Sequence, residues 1–163
     1  MSEIFDSAII EFNLGNYKKA LVLFEQTLTK EPLHVMALIK KGNILGKFAK
    51  YPDAITFYDK ALGVEPQNRL ALINKGLALH YLQRYDDAIV CYDIILETKP
   101  DSAITLYNKA SSLVRKGETK QGLNVLQVAI NADFSCKYKA RSDIDFESIQ
   151  KRWPAFSILC NFG

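Results

Sequence analysis

Residues 69–102 read RLALINKGLALHYLQRYDDAIVCYDIILETKPDS, and this stretch decides the fold. Two apolar sets recur in it at helical spacing: Leu70, Leu72, Ile73, Leu77, Leu79 and Leu82, then Ala88, Ile89, Tyr92, Ile95 and Leu96. Gln83-Arg84 separates them as a turn, and Pro100 disfavours helix at the residue before it. The stretch therefore predicts a hairpin of two helices. Its landmarks repeat at a step of 34 residues: Pro32, Pro66 and Pro100; Tyr17, Tyr51 and Tyr85; Ala20, Ala54 and Ala88; Phe24, Tyr58 and Tyr92; Gly42 and Gly76. Four units in register follow, 1–34, 35–68, 69–102 and 103–136, the last degenerate with Ala110, Thr119, Gly122, Leu126 and Phe134 at the matching places.

The other hairpin turns fall at Gly15-Asn16, Lys50-Tyr51 and Gly117-Glu118, and Pro52 sits where an early helical residue can lack its N–H. His34, Asn68 and Ser102 stand where the next helix begins, the latter two as good N-caps. Small residues at Gly42, Gly76, Ala110 and in the alanine columns let helix axes approach, while the ring at 24, 58 and 92 fills the space between hairpins. One hairpin cannot bury its own apolar face, so stability arises at neighbour interfaces and the two ends need caps. Glu11 falls where later units carry Leu45, Leu79 and Leu113, which gives the first helix a solvated face. Residues 137–163 break the register but bring Ala140, Ile144, Phe146, Ile149, Trp153, Phe156, Ile158 and Leu159, enough apolar surface for a helical cap.

The hairpin with small, Tyr, Ala, Phe/Tyr, Ala and Pro landmarks resembles the tetratricopeptide repeat over about residues 1–136. The large aromatic usual early in that family's first helix is replaced by Ile4, Leu38, Leu72 and Leu106. The tail ARSDIDFESIQKRWPAF resembles, more loosely, the closing segment of many bacterial and archaeal members. The resemblance implies an all-α, right-handed superhelical solenoid of antiparallel helix hairpins, whose first helices line a concave groove that holds a segment of another protein. A fold of this kind does not name its partner, so the groove residues must carry that argument.

Composition sets the frame for that argument. At 163 residues, 48% hydrophobic and 24% charged, the chain reads as one folded unit without a membrane span, and disorder is excluded. The start Met-Ser-Glu lacks a basic, then apolar, secretion signal, so a cytoplasmic location is expected. Cys91, Cys136 and Cys160 fit no disulfide or zinc spacing and read as reduced packing residues; His34 and His80 have no Cys partner at metal spacing. No phosphate loop, metal pair or nucleophile signature occurs, so neither an enzyme nor a cofactor is expected.

The first helices of units two to four, about 35–48, 69–82 and 103–116, hold Lys40, Lys41, Lys47, Arg69, Lys75, Lys109, Arg115 and Lys116 and no acid. The second helices of units two and three are net acidic, with Asp53, Asp59, Asp86, Asp87, Asp93 and Glu97, a segregation that the net charge of +3 hides. If first helices line the groove, its wall is basic and attracts acidic partners. Three roles follow. Asn74 and Asn108, which share a column with Lys40, and Asn43 a turn further along, can pair with an extended peptide backbone, as a similar column does in the repeats of the O-linked N-acetylglucosamine transferase. Lys40, Lys47 and Arg115 attract carboxylates, and Ile39, Ile73, Leu77, Tyr81 and Tyr107 anchor apolar side chains.

The carboxylate clamp of chaperone-binding members is disfavoured. Its places on units two to four hold Ile39, Asn43, Asn74, Ile104 and Asn108, with all three cations missing; on units one to three they hold Phe5, Ile9, Lys40, Leu70 and Asn74, and none matches. The expected partner is an acidic, amphipathic protein or peptide segment. The alternative is self-assembly or autoinhibition through the tail, with a homo-oligomer formed via 152–163. Single-stranded nucleic acid is the lesser alternative, because cations are thinly spread and arginine numbers only five.

Overall fold

The structure, a computed structural model, describes residues 3–150 and 154–161. Among the described residues the chain forms eleven helices and no strand: α1 Glu3–Asn13, α2 Tyr17–Lys30, α3 Val35–Lys47, α4 Tyr51–Val64, α5 Arg69–Tyr81, α6 Tyr85–Thr98, α7 Ala103–Lys116, α8 Thr119–Ala132, α9 Ser135–Ser142, α10 Ile144–Gln150 and α11 Pro154–Asn161. The eight helices from α1 to α8 match the paired helices read from the four repeats. No described helix is long and apolar enough to cross a membrane.

Local chemistry sets the helix ends. Backbone N–H groups freed at the first turns of α3 and α5 are taken up by side chains: Ala37 N–H donates to His34 Nδ1 at 3.2 Å and Ala71 N–H to Asn68 Oδ1 at 3.1 Å. Ser102, expected to cap α7, makes no such bond; its hydroxyl meets that of Thr105 at 2.8 Å. The four hairpin turns share one backbone device, a residue with positive φ at the same place in each repeat: Gly15 (80°), Ala49 (55°), Gln83 (60°) and Gly117 (100°). Glycine takes that conformation freely, whereas Ala49 and Gln83 hold it against the clash of Cβ with the backbone.

The chain divides into two compact units, one reaching to Ala78 and one starting at Leu79. In the first, Phe5, Ala8, Ala20, Phe24, Ala37 and Ile44 form one apolar cluster, and Leu38, Ile39, Ala54, Tyr58, Ala61, Ala71 and Ala78 form another. Phe24 and Tyr58 are the ring column of the repeat, each buried beside the small residues that make room for it. At Gly42 the approach is close: a Cβ there would lie 2.6 Å from Tyr58 Cε1.

The second unit has a single core in which Tyr107, Ala110, Val114 and Leu126 from the last repeat pack with Ala140, Phe146, Ile149, Phe156 and Cys160 from the tail. The tail thus closes the apolar end of its own unit, which is what an end repeat requires. Cys91, Cys136 and Cys160 are buried and form no disulfide, and burial pushes the Cys160 thiol up to about 11.

Candidate binding surface

The first-helix lysines sort into two groups once their partners are seen. Lys41 Nζ lies 3.0 Å from Glu25, Lys75 Nζ 2.6 Å from Asp59 and Lys109 Nζ 2.6 Å from Asp93. Each pair joins a first helix to the second helix of the preceding hairpin, with the same sequence spacing every time, so this column is an ion-pair ladder between repeats. Lys116 is paired as well, with Asp86 at 2.7 Å and Glu118 at 2.6 Å. Five of the eight cations expected to make a basic wall are therefore paired with acids of the protein itself, the fifth being Arg115, 3.8 Å from Asp145. The expectation of a uniformly basic first-helix surface is corrected to this extent. The reason is that the charge segregation between helices is what allows them to pair.

Lys40 and Lys47 behave differently. The Lys40 ammonium sits 4.6 Å over the Phe12 ring and that of Lys47 5.1 Å over Tyr17, both from the first hairpin. A ring face holds the cation in place without cancelling its charge. On the same unit, Ile73, Asn74 and Leu77 are half-buried along α5, and Asn43 accepts a 2.9 Å hydrogen bond from the Tyr58 hydroxyl. Asn43 is thus at least partly committed to fixing the Tyr58 ring. Ile39 is buried in the core and has no surface to offer.

In the second unit, Tyr81 and Arg115 come together at a cleft of about 210 Å³ that is also lined by His80, Gln83, Tyr85, Ile144 and Asp145. Tyr81 and Ile144 are exposed at 61% and 73% and form its apolar lips. Its floor is a polar chain. His80 Nδ1 lies 2.9 Å from Ser112 Oγ, and Nε2 lies 3.1 Å from Asp145 Oδ2. Ser111 donates a short hydrogen bond to the same Asp145 oxygen, and Arg115 Nε stands 3.8 Å from the other. A neutral imidazole satisfies this chain by donating from Nε2 to Asp145 and accepting the Ser112 hydroxyl at Nδ1.

Burial disfavours the Asp145 carboxylate, but hydrogen bonds from His80 and Ser111, with the nearby charge of Arg115, outweigh it and hold the group below the usual carboxylate range. A Ser–His–Asp sequence of contacts suggests acyl-transfer chemistry, which needs a nucleophile that substrate can reach. Ser112 has no exposed surface, so no carbonyl can reach it and the three groups work as a structural pin.

Tyr107 and Asn108 are both buried. The Tyr107 hydroxyl donates to Asp143 Oδ2 at 2.6 Å, and burial together with that acceptor pushes its pKa far up. Asp143 and Asp145, absent from the set read from sequence, belong to the tail and cover the face of α7 where Tyr107 and Ser111 stand. Trp153 and Phe162 lie outside the described residues, whereas Phe156 and Cys160 are buried in the core of their own unit.

A run of helix hairpins with columns of small residues, rings and turns at one fixed step defines a helical-repeat protein. The chain belongs to the tetratricopeptide-repeat family described as "Psidin, N-terminal TPR repeats region", whose model matches residues 4–131. No curated protein matches it in sequence.

Solved structures share the fold. MamA from Desulfovibrio magneticus RS-1, residues 41 to the end, matches with a TM-score of 0.75 at 23% identity, over 81% of this chain and 75% of that one. A crystal structure of MamA matches with a TM-score of 0.79 at 16% identity, over 98% of this chain and 93% of that one. YrrB, described as a TPR protein with an unusual peptide-binding site, matches with a TM-score of 0.74 at 16% identity, over 95% and 80%.

Proposed function

We propose that this protein is a non-enzymatic interaction scaffold that holds an acidic, partly apolar segment of another protein against the first-helix side chains of its repeats. The observation that carries the reading is the sorting of cations. The ladder lysines are neutralised, while Lys40 and Lys47 rest on aromatic rings with their charge intact. Beside them, Ile73 and Leu77 remain only half-buried and Leu70 is 51% exposed, so charge and apolar surface lie on one unit. Asn74, also half-buried there, offers donors and an acceptor to a backbone. In the second unit, taken by itself, Tyr81 and Arg115 stand at the cleft, with Arg115 in a long contact to Asp145. That YrrB, a structural neighbour, carries a peptide-binding site supports the reading. Ile39 and Asn108 are left out of the contact set because they are buried, and Tyr107 because the tail's Asp143 occupies its hydroxyl.

The test is affinity capture from native lysate with the unchanged chain and with an Ile73→Asp, Asn74→Ala double variant shown to be folded by circular dichroism. A partner held by the first and lost by the second is the expected result. Lys47→Glu should weaken the same capture mainly at low salt. The same proteins recovered with the unchanged chain and the double variant would refute the reading.

A further inference from the structure

The polar chain beneath the cleft has a feature that a purely apolar cap would lack. Tyr107, Ser111, Ser112 and His80 are buried polar groups in the second unit, and apolar partners would leave them unsatisfied. Three of the four meet carboxylates from one short stretch of the tail: Tyr107 donates to Asp143, while Ser111 and His80 meet Asp145. Arg115 adds a weaker contact to Asp145 at 3.8 Å. Phe146 follows, fully buried, with its ring 5.7 Å from that of Tyr107. Between the two carboxylates Ile144 points away and is exposed. Residues 143–146, Asp-Ile-Asp-Phe, therefore lie on α7 as an acidic, aromatic-ended segment would lie on a receptor.

The stretch is also weakly held by its own secondary structure. Asp143 has extended backbone, and α10 has only seven residues, too few to persist as an isolated helix. Its place therefore depends on the contacts it makes, and its first turn meets α7 and His80 through the Asp143 and Asp145 carboxylates as well as the buried Phe146 ring.

We infer that Asp143–Phe146 is an intramolecular ligand of the α7 face, and that a partner segment with the pattern Asp-x-Asp-aromatic competes with it for Tyr107, Ser111, His80 and Arg115. This deepens the proposed function, on which it rests, by naming the chemistry of a segment that the second unit accepts and by making the tail its gate. A partner must displace a covalently attached competitor, so binding here is weak until the tail is released.

The experiment uses the full chain and a synthetic peptide of its own sequence, RSDIDFESIQ, residues 141–150, with a control peptide in which both aspartates are asparagine. Asp143→Asn, Asp145→Asn should release α10, seen as faster amide hydrogen exchange in α7 and α10 with the circular dichroism of the repeats retained. The released variant should bind the acidic peptide at least tenfold more tightly than the unchanged chain does, and should not bind the control. A second variant, Tyr107→Phe, Ser111→Ala, should loosen α10 in the same way but gain far less peptide binding, because two of the four donors are gone.

Equal peptide affinity for the unchanged chain and the released variant, or no binding by the released variant, would overturn the inference, as would unchanged exchange in α10. The capture experiment with Ile73 and Asn74 probes the other unit. Its failure alongside peptide binding here would remove the general reading and leave the tail contact standing, and the reverse pattern would do the opposite.

Discussion

Gly42→Ala tests the packing logic of the repeat most sharply. A Cβ at Gly42 would sit 2.6 Å from Tyr58 Cε1 and 3.0 Å from Cδ1 and Cζ, where carbon contacts normally settle near about 3.5–4.0 Å. The ring cannot simply retreat, because Tyr58 is buried in the core and its hydroxyl is held by Asn43 at 2.9 Å. Overpacking of this kind costs about 1–3 kcal/mol, and losing the hydroxyl bond adds about 1 kcal/mol. Against that, alanine is favoured over glycine inside a helix by about 1 kcal/mol. The net expectation is a loss of about 1–3 kcal/mol, or roughly 3 °C in melting temperature for each kcal/mol at this chain length.

Gly63→Ala is the internal control, since a Cβ there meets nothing within 4 Å. It should gain about 0.5–1 kcal/mol from helix propensity alone. Urea denaturation followed by circular dichroism reads both. If Gly42→Ala proved as stable as the unchanged chain, the ring column would not be close-packed.

The turn column and the tail give further expectations. Gln83→Gly relieves a φ of 60° and should stabilise the fold by about 0.5–1 kcal/mol, while Gly117→Ala, at 100°, should destabilise it by at least as much; denaturation midpoints moving in the same direction would refute the shared turn geometry. The Asp145 carboxyl is held below the usual range, so its contribution is present above the unfolded value of about 3.9 and is lost as pH falls through the lower folded value. Melting temperature should therefore fall more steeply below about pH 4 in the unchanged chain than in Asp145→Asn, and parallel profiles would show that the carboxylate contributes nothing to holding α10.

The fold was legible because the period is a steric requirement. A ring at 24, 58 and 92 needs a small neighbour, each turn needs a stop, and such needs recur at fixed columns that a single sequence displays. The turn itself was only half legible, since Gly15 and Gly117 mark it but Ala49 and Gln83 occupy the same backbone conformation with side chains that carry no sign of it.

The ladder was written in the sequence too, as a lysine following an acid at one spacing in three successive repeats. It is visible only when a first helix is compared with the preceding hairpin rather than with its own column. Read column by column, Lys41, Lys75 and Lys109 look like free charge.

The tail was the least legible element. Residues 137–163 lie outside the register, so no column places Asp143 or Asp145 against α7, and Tyr107 and Asn108 read as surface residues. A faint signal did exist. Ser112 stands where the earlier repeats carry Ile44 and Ala78, and His80 where others carry Gly46 and Val114. Polar residues in interior columns need partners, and here the tail brings the carboxylate that completes their chain.

Peptide selection reads directly whether first-helix side chains hold an acidic, partly apolar segment. The most direct measurement selects short peptides from a random display library on the full chain, then maps the tightest one by amide chemical shifts. The expected outcome is selected sequences rich in Asp and Glu with an apolar anchor, and shifts concentrated at Lys40, Lys47, Ile73, Asn74 and Leu77. Neutral or basic selected peptides, or shifts centred on second-helix residues such as Val22 and Val90, would contradict it.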